Sequence, residues 1–301
     1  SVLSPFLFNV FINDLATNER IHCLGVMISS SQVVGSLLYA DVTSLMSYCR
    51  DKAQEQLDVM CEWSHRWGLI IHPDKTEVLL IRSRKSKLVK PTALLLDGSQ
   101  PLRFCDKFKY LGVLFGSKTR TTGLLCLEKA EKKWQLLQPL LSKYGHLSAF
   151  FQSLLYKAIL RPTLTYGCEI FPVRSVYELF QKKVGRRICG AYENTETRMV
   201  YRTLGWSRLA THVDSLCVRF ALRALGSEYE LARVSAVQQL ELGLSWGRRV
   251  LEILSRLDIP VEVNDAESIS NGLYLAVEKL DLPPGLGKRS SLLAIKKAAI
   301  W

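Results

Sequence analysis

Apolar residues are spaced differently before and after residue 117. Before it, short apolar runs alternate with polar turns, a pattern that predicts β-strands. We expect strands over 23–28, 33–40, 43–48, 76–82, 94–96 and 108–115. After it, apolar residues recur every three or four positions, as on helices that face a core. We expect helices over 124–143, 148–160, 175–189, 209–225, 229–257 and 288–300. An α+β region is thus predicted to precede a mainly helical one.

Two helices are expected among the strands of the first region. Ser4 and Pro5 suit a helix start, with Ser4 as the N-cap and Pro5 in the first turn. Residues 51–68 place Trp63 and Trp67 on one apolar face of a second helix. Both tryptophans are therefore predicted to pack in a core.

A β-hairpin is predicted with a carboxylate at its turn. Strands 33–40 and 43–48 flank Asp41 and Val42, and the few residues between them leave room only for a tight connection. Considered alone, Asp41 is an ordinary turn residue.

Basic charge is concentrated in the middle of the chain. The whole sequence has 40 Lys and Arg against 28 Asp and Glu, a net charge of +12. Residues 81–223 hold 26 of the basic and 9 of the acidic residues, a net charge of +17. The excess ends near 225, which gives three predicted regions, 1–116, 117–225 and 226–301. Such a balance favours an anionic partner, such as nucleic acid or an acidic membrane surface.

Clusters within this basic segment are candidates for contact with a nucleic-acid backbone. The residues singled out are Arg82, Arg84, Lys85, Lys87, Lys182, Lys183, Arg186 and Arg187. If they share one surface, they should bind phosphates without sequence preference. The alternative is that the charges scatter around the helices and only keep the chain soluble.

Eight cysteines are spread along the chain without a CxxC pair or a Cys/His cluster. This distribution predicts no zinc site and is typical of reduced thiols in an intracellular protein. Residues 21–40 lack formal charge, but Ser29, Ser30, Ser31 and Gln32 lie in their middle. Two strands around a polar turn are therefore predicted there, not a membrane span.

Four motifs follow one another within the first 116 residues. Residues 1–15 read SVLSPFLFNVFINDL, 38–42 read LYADV, 67–76 read WGLIIHPDKT and 109–113 read KYLGV. Their order and spacing resembles that of reverse transcriptases of non-LTR (LINE-like) retrotransposons. In that family a QGxxLSP-type motif precedes a YADD hairpin, and a helix, a Lys-Thr motif and a K-Y-L-G strand come next. The resemblance covers residues 1–116 and fades through 117–225.

The resemblance implies a partial polymerase palm, which is an antiparallel sheet with packed helices, followed by a thumb-like helical region. Polymerases of this kind hold two divalent ions with carboxylates, at the attacking and leaving oxygens. Asp41 matches the first aspartate of the YADD motif, a catalytic metal ligand. Lys75 matches the lysine near the incoming nucleotide. Without the resemblance, Lys75 is an exposed lysine at the start of a strand.

This sequence departs from the family pattern at the hairpin. Val42 replaces the second aspartate and cannot bind a cation. The third aspartate of the family belongs to a motif that would precede Ser1, and the sequence begins inside a motif without Met. We therefore expect a C-terminal piece of the polymerase region that is inactive on its own. His72 stands where the family commonly has Asn, and we expect it to be a loop residue.

Five further residues match positions that contact primer or template in the family. Tyr110, Leu111 and Gly112 match the strand that grips the primer end, although a core strand with a bulge explains them equally well. Ser4 and Pro5 belong to the motif near template and nucleotide, and helix capping explains them nearly as well.

The intact relatives copy RNA into DNA at a nicked chromosomal target, using Mg²⁺. The resemblance therefore implies RNA and DNA as partners, no membrane, and a nuclear location. Mg²⁺ often uses one or two carboxylates plus substrate phosphates, so Asp41 alone is expected to bind it only weakly. Two alternatives stay open: a non-catalytic, nucleic-acid-binding remnant of a mobile element, and a chain that hardly folds.

Overall fold

The computed structural model describes residues 3–30, 32–81, 92–116, 122–143, 147–171, 175–262 and 265–281. The chain divides into two compact units, unit 1 (Ser1–Thr122) and unit 2 (Gly123–Trp301). Strands occur in unit 1 and helices predominate in unit 2, so the predicted α+β class is confirmed. The basic loop 82–90 and the helix expected over 288–300 lie outside the described residues. The division into three regions stays a prediction.

Unit 1 has three described helices, α1 (Ser4–Ala16), α2 (Glu19–Cys23) and α3 (Arg50–Arg66). The predicted N-cap of α1 is wrong by one residue. Leu3 occupies the cap position, no side chain caps the helix, and Ser4 and Pro5 form its first turn. Pro is favourable there, because its missing N–H would have no partner inside the helix.

The strands of unit 1 are short and form two-stranded sheets. They are β1 (Val26–Met27), β2 (Val33–Val34), β3 (Ser36–Tyr39), β4 (Val42–Leu45), β5 (Glu77–Leu79), β6 (Leu95–Leu96), β7 (Gln100–Pro101), β8 (Arg103–Cys105), β9 (Lys107–Tyr110) and β10 (Val113–Gly116). The antiparallel pairs are β1–β2, β3–β4, β6–β7 and β9–β10. The pair β5–β8 is parallel.

Three predicted strands of unit 1 were wrong in part. The strand expected over 33–40 is two strands, β2 and β3, which belong to different sheets. Cys23 ends α2, so the strand expected from residue 23 is confined to β1. Asn18 explains the helix, because its side chain caps α2 by accepting from the backbone N–H groups of Arg20 and Ile21. The single strand expected over 108–115 is a hairpin, β9–β10.

In the described part of unit 1, two small apolar cores lie on either side of α3. Leu57 and Cys61 pack with Leu94, Leu96 and Leu102. The second core contains Leu15, Ile21, Val59 and Trp63, with Leu38 and Leu45 of the β3–β4 pair packed against it. Helix α3 therefore supplies residues to both cores, and it is the central element of this unit.

Unit 2 is built from α4 (Thr122–Lys143), α5 (Ala149–Leu155), α6 (Arg161–Thr165), α7 (Ser175–Cys189), α8 (Thr197–Leu204), α9 (Leu209–Leu225), α10 (Glu230–Glu241), α11 (Ser245–Arg256) and α12 (Ala266–Asp281). A π-helical turn, Tyr156–Leu160, joins α5 to α6. It directly precedes Arg161 and Pro162, and a widened turn suits a proline that has no N–H to donate.

The sequence pattern missed three helices of unit 2 and merged two others. Helices α6, α8 and α12 were not predicted. The helix expected over 229–257 is interrupted between α10 and α11, where Gly243 has a left-handed φ of 55°. No helix in the part of the chain that the structure describes has both the length and the apolar character needed to cross a membrane.

The described residues of unit 2 form two larger apolar cores. One runs from Cys126 to Val213 and the other from Cys217 to Ala276. Polar contacts join them: the indole N–H of Trp246 donates to the carbonyl of Glu169 at 3.0 Å. The Arg249 guanidinium donates to the carbonyls of Cys168 and Phe171 at 2.9 and 3.0 Å. Helix α11 thereby holds the segment that follows α6.

Candidate functional site

The hairpin predicted around Asp41 is present as β3–β4. Tyr39 pairs with Val42 and Ser36 pairs with Leu45, so Ala40 and Asp41 form a two-residue turn. The sequence had placed Val42 in the turn with Asp41, and this was wrong, because Val42 is the first residue of β4. Ala40 has a φ of 50°, a left-handed conformation that is costly for a residue with a Cβ. The turn points its one carboxylate, that of Asp41, into an exposed position.

The residues at this turn do not fit a pair of metal ions. Val42 has no donor atom, and Asp41 supplies one carboxylate where a two-metal site needs several. Among the described residues, no group of three or more His, Cys, Asp and Glu side chains could hold a metal ion. A single Mg²⁺ ion contacted by one carboxylate and by substrate phosphates remains compatible with the donor set.

Lys75 lies on a second surface feature of unit 1. It ends a 3₁₀ turn, Pro73–Lys75, and its backbone N–H donates to the carbonyl of His72 at 3.1 Å. Its side chain is exposed, as is His72. The turn leads directly into β5, so the position of Lys75 relative to that strand is fixed by the backbone.

Leu111 and Gly112 form the turn between β9 and β10 and do not lie within a strand. Their φ angles are 47° and 81°, the two positive values that a type I′ hairpin turn requires. The rings of Tyr110 and Phe115 meet edge to face across the pair, with centroids 6.4 Å apart. A strand with a bulge was the wrong description, because the backbone reverses at these two residues.

The candidate residues of unit 1 fall into two groups. Helix α1, with Ser4 and Pro5 exposed in its first turn, packs against β3 of the Asp41 hairpin. Strand β5, which follows Lys75, lies beside β9. Whether any of them contacts a primer, a template or a nucleotide stays a prediction.

One aromatic prediction was wrong in part. Trp63 is buried as expected, with 6% of its surface exposed, but Trp67 is 48% exposed. The indole N–H of Trp67 donates to the Asp14 carboxylate at 3.1 Å, and its ring meets Phe11 edge to face. Trp67 lies at the C-terminal end of α3, where the apolar face meets solvent.

The four basic residues of α7 differ in their surroundings. Lys183 and Arg187 are exposed, whereas Lys182 and Arg186 are half-buried. The guanidinium of Arg186 donates to the carbonyl of Thr195 and thereby holds the segment between α7 and α8. Arg186 therefore has a structural partner, which the sequence did not reveal. Four other residues were predicted to contact the nucleic-acid backbone and lie outside the described residues: Arg82, Arg84, Lys85 and Lys87.

A groove of about 430 Å³ beside α7 contains a basic residue that the sequence analysis missed. Lys182 and Arg208 line it together with Glu178. The Glu178 carboxylate accepts from the Tyr201 hydroxyl at 2.9 Å and from the backbone N–H of Leu209 at 2.8 Å. Burial raises the pKa of the Tyr201 hydroxyl, which therefore keeps its proton and donates it. Nothing in the sequence indicated Arg208, because it is an isolated basic residue directly before α9.

Known proteins similar to this chain are polymerases of mobile elements. Residues 1–115 match the family described as "Reverse transcriptase (RNA-dependent DNA polymerase)". The "RNA-directed DNA polymerase from mobile element jockey" of Drosophila melanogaster is 25% identical over 246 residues, covering 77% of this chain and 26% of that protein. The "Retrovirus-related Pol polyprotein from type-1 retrotransposable element R2" of Popillia japonica is 25% identical over 199 residues, covering 60% and 32%.

A third relative agrees with these two. The "Probable RNA-directed DNA polymerase from transposon X-element" of Drosophila melanogaster is 23% identical over 232 residues, covering 72% of this chain and 24% of that protein. The chain thus spans about a quarter to a third of the length of these relatives. The matches extend beyond the first unit, because each is longer than the 115 residues of the family match. Residues 1–115 thus match the reverse transcriptase family, and the chain is similar to a part of the polymerases of LINE-like, non-LTR retrotransposons.

Proposed function

We propose that the chain supplies the palm hairpin and the following helical region of an RNA-directed DNA polymerase, with RNA and DNA as substrates and Mg²⁺ as the ion. The observation that carries this proposal is the β3–β4 hairpin with Asp41 at its turn, inside the segment that matches the reverse transcriptase family. Reverse transcriptases are nucleotidyltransferases that use divalent metal. The similarity to polymerases favours this role over a non-catalytic nucleic-acid-binding remnant.

By itself the 301-residue chain is proposed to lack polymerase activity. In-line phosphoryl transfer needs both the attacking and the leaving oxygen to be stabilised by correctly spaced charge. Asp41 provides one carboxylate at the turn and Val42 provides none. Asp41 can orient one ion against the phosphates of a nucleotide, which is binding without the second charge that catalysis requires.

Primer extension tests this directly. We expect no template-dependent DNA synthesis by the purified chain on a primed RNA template, with Mg²⁺ or Mn²⁺, and no gain from Val42→Asp alone. The resemblance implies three carboxylates, and Val42→Asp raises the number at this turn to two. The control is Asp41→Asn in both backgrounds. Synthesis that disappears in Asp41→Asn would contradict the proposed inactivity, and recovery in Val42→Asp would show that two carboxylates suffice.

The exposed basic face of α7 is proposed to contact the phosphate backbone. Lys183 and Arg187 are one helical turn apart, so their side chains lie on the same face. Neither forms a salt bridge with another described residue, which leaves both free to neutralise phosphates. Arg186 is less available for this role, because one N–H of its guanidinium is bonded to the Thr195 carbonyl.

The salt dependence of binding to single-stranded RNA tests this surface. Each phosphate contact adds about 0.7 to the magnitude of the log–log slope of affinity against salt. We therefore expect Lys183→Ala with Arg187→Ala to reduce the slope by about 1.4. The matched control is Arg223→Ala with Arg233→Ala, which removes the same charge from exposed positions on α9 and α10. Equal effects of both double variants would favour scattered charge over a defined contact surface.

A further inference from the structure

A buried glutamine of unit 1 lies at the base of the hairpin that carries Asp41. Gln56 is on α3, and 0% of its surface is exposed. A buried amide without hydrogen-bond partners is costly. In Gln56 the amide nitrogen has partners, whereas Oε1 has none among the described residues. The hydrogen-bond partners of Gln56 therefore identify the segments that it holds together.

The amide nitrogen of Gln56 faces three backbone carbonyls from three segments. Its Nε2 lies 2.9 Å from the carbonyl oxygen of Ile21, 3.3 Å from that of Gly35 and 3.2 Å from that of Met46. An amide has two N–H groups, so the three acceptors share two donors. Because all three neighbours are acceptors, the NH₂ end of the side chain must face them.

Two of these carbonyls mark the base of the β3–β4 hairpin. Gly35 directly precedes β3 and Met46 directly follows β4. The backbone N–H of Met46 also donates to the Gly35 carbonyl at 2.8 Å, which closes the base. The third carbonyl, that of Ile21, belongs to α2. Gln56 thus ties both strands of the hairpin to α2 and α3 at one point.

The glycine at this junction shows how closely the segments approach. A Cβ on Gly35 would lie 2.1 Å from the carbonyl oxygen of Ile21, far inside any tolerable contact. The hairpin base and α2 can meet around the Gln56 amide only because residue 35 has no side chain.

We propose that Gln56 is a positioning residue that sets the direction of the Asp41 hairpin relative to α3. A two-stranded ribbon is only marginally stable by itself, so its orientation depends on what holds its base. Strands of four residues extend about 13 Å, so a tilt of about 5° moves the turn by about 1 Å. Displacements of about 1 Å at a reacting group can cost about 100-fold in rate. Gln56 contacts neither substrate nor metal and acts through the backbone.

The same helix offers a matched control. Gln54 is two residues away on α3, and it bonds a different hairpin, β6–β7. Its Nε2 donates to the Leu95 carbonyl at 2.8 Å, and its Oε1 accepts from the Leu95 N–H at 2.8 Å. Each glutamine thus ties one short strand pair to α3: Gln54 holds β6–β7, and Gln56 holds β3–β4.

Amide hydrogen exchange on the full chain tests the proposal, with Gln56→Leu and Gln54→Leu compared with the unmodified protein. In Gln56→Leu, we expect amides of residues 36–46 to exchange about tenfold faster, while 94–102 and the α3 segment 57–64 keep their rates. In Gln54→Leu, we expect the reverse pattern between the two hairpins. If Gln56→Leu unfolds the unit or accelerates exchange in 57–64 equally, Gln56 is merely structural and the proposal is wrong. Unchanged exchange in 36–46 would also overturn it.

A second measurement links the hairpin to its carboxylate and rests on the proposed function. In the Val42→Asp background, Mn²⁺ titration followed by electron paramagnetic resonance should show binding that Asp41→Asn removes. We expect Gln56→Leu to weaken it by about tenfold and Gln54→Leu to leave it unchanged. Absence of any Asp41-dependent binding would count against the proposed function alone. Binding that Gln56→Leu leaves unchanged would count against positioning alone.

Discussion

The two units of this chain reach a folded state by different means. Among the described residues, the cores of unit 2 contain 17 and 13 buried apolar residues. Those of unit 1 contain five and four. Larger cores bury more apolar surface, which is the dominant favourable contribution to folding. Apolar side-chain packing therefore contributes much to the stability of unit 2 and less to that of unit 1.

In unit 1, hydrogen bonds from side chains to the main chain compensate for the smaller buried apolar surface. Gln54 and Gln56 bond the main chain of short strand pairs, and Gly35 permits a backbone approach that no other residue allows. In unit 2 the buried glutamine Gln181 plays a smaller part. It joins the Tyr156 hydroxyl at 2.7 Å and the Ser207 carbonyl at 2.9 Å inside a core already packed by aromatic rings. Polar links guide the fold of unit 1, and apolar packing guides that of unit 2.

The largest effect should come from the core of unit 2. Leu164 on α6 has 0% of its surface exposed, so Leu164→Ala leaves a cavity among packed helices. We expect the free energy of unfolding of unit 2 to fall by about 2 to 5 kcal/mol. Chemical denaturation followed by hydrogen exchange in α7 and α9 measures it. The control Leu136→Ala removes a leucine that is 73% exposed and should cost less than about 0.5 kcal/mol. Similar losses in both variants would mean that packing is not what holds this unit.

A smaller effect, of a different origin, is expected in unit 1. Gly35→Ala forces the hairpin base away from α2, which should lower the free energy of unfolding by about 1 to 3 kcal/mol. Hydrogen exchange should show the loss in residues 36–46 first. Gly226→Ala is the control, because its added Cβ would meet only the Leu222 carbonyl oxygen, at 3.3 Å. A Gly35→Ala protein with unchanged exchange would show that the close approach at this junction is not essential.

The contrast also explains what the sequence revealed. In unit 1 the hairpin around Asp41 was predicted and is present. It could be predicted because two apolar runs flank a connection that is too short for anything but a tight turn. The reversal at Leu111 and Gly112 was missed. Leu disfavours positive φ, so the apolar spacing of KYLGV looked like one continuous strand. The predicted N-cap at Ser4 was wrong by one residue. A serine followed by a proline is compatible with the N-cap and also with the first turn of a helix, so the sequence does not distinguish the two positions.

In unit 2 periodicity located most helices, but it could not show which polar residues are committed to partners. Arg186 and Arg187 are neighbours with the same chemistry, and only the fold shows that Arg186 is bonded to the main chain. Gln56 was missed for the same reason. A glutamine on an amphipathic helix is expected to face solvent, and its burial depends on three carbonyls brought from distant parts of the chain. Tertiary contacts of this kind leave no local pattern.

The smallest expected effect concerns a charge in unit 2. The Asp214 carboxylate lies 3.2 Å from the Arg256 guanidinium, and its side chain is 15% exposed against 61% for that of Arg256. Burial raises the pKa of Asp214, and the nearby Arg256 and Arg249 offset this only in part. The native state thus binds its proton more tightly than the unfolded chain does. The stability from this group is present below the ordinary Asp pKa, of about 4, and is lost as pH rises through the raised value.

Asp214→Asn removes that penalty together with a half-exposed ion pair that contributes about 0 to 1 kcal/mol. We therefore expect a change within about 1 kcal/mol at pH 7, with the variant gaining stability relative to the unmodified chain as pH rises from 4. Denaturant unfolding of both proteins across this range measures the difference. Arg256→Ala is the control: it removes the partner while the buried carboxylate stays, and should destabilise unit 2 at pH 7 more than at pH 4. If Asp214→Asn instead loses stability relative to the unmodified chain as pH rises, the ion pair outweighs burial. Unit 2 would then depend on a charge contact as much as on packing.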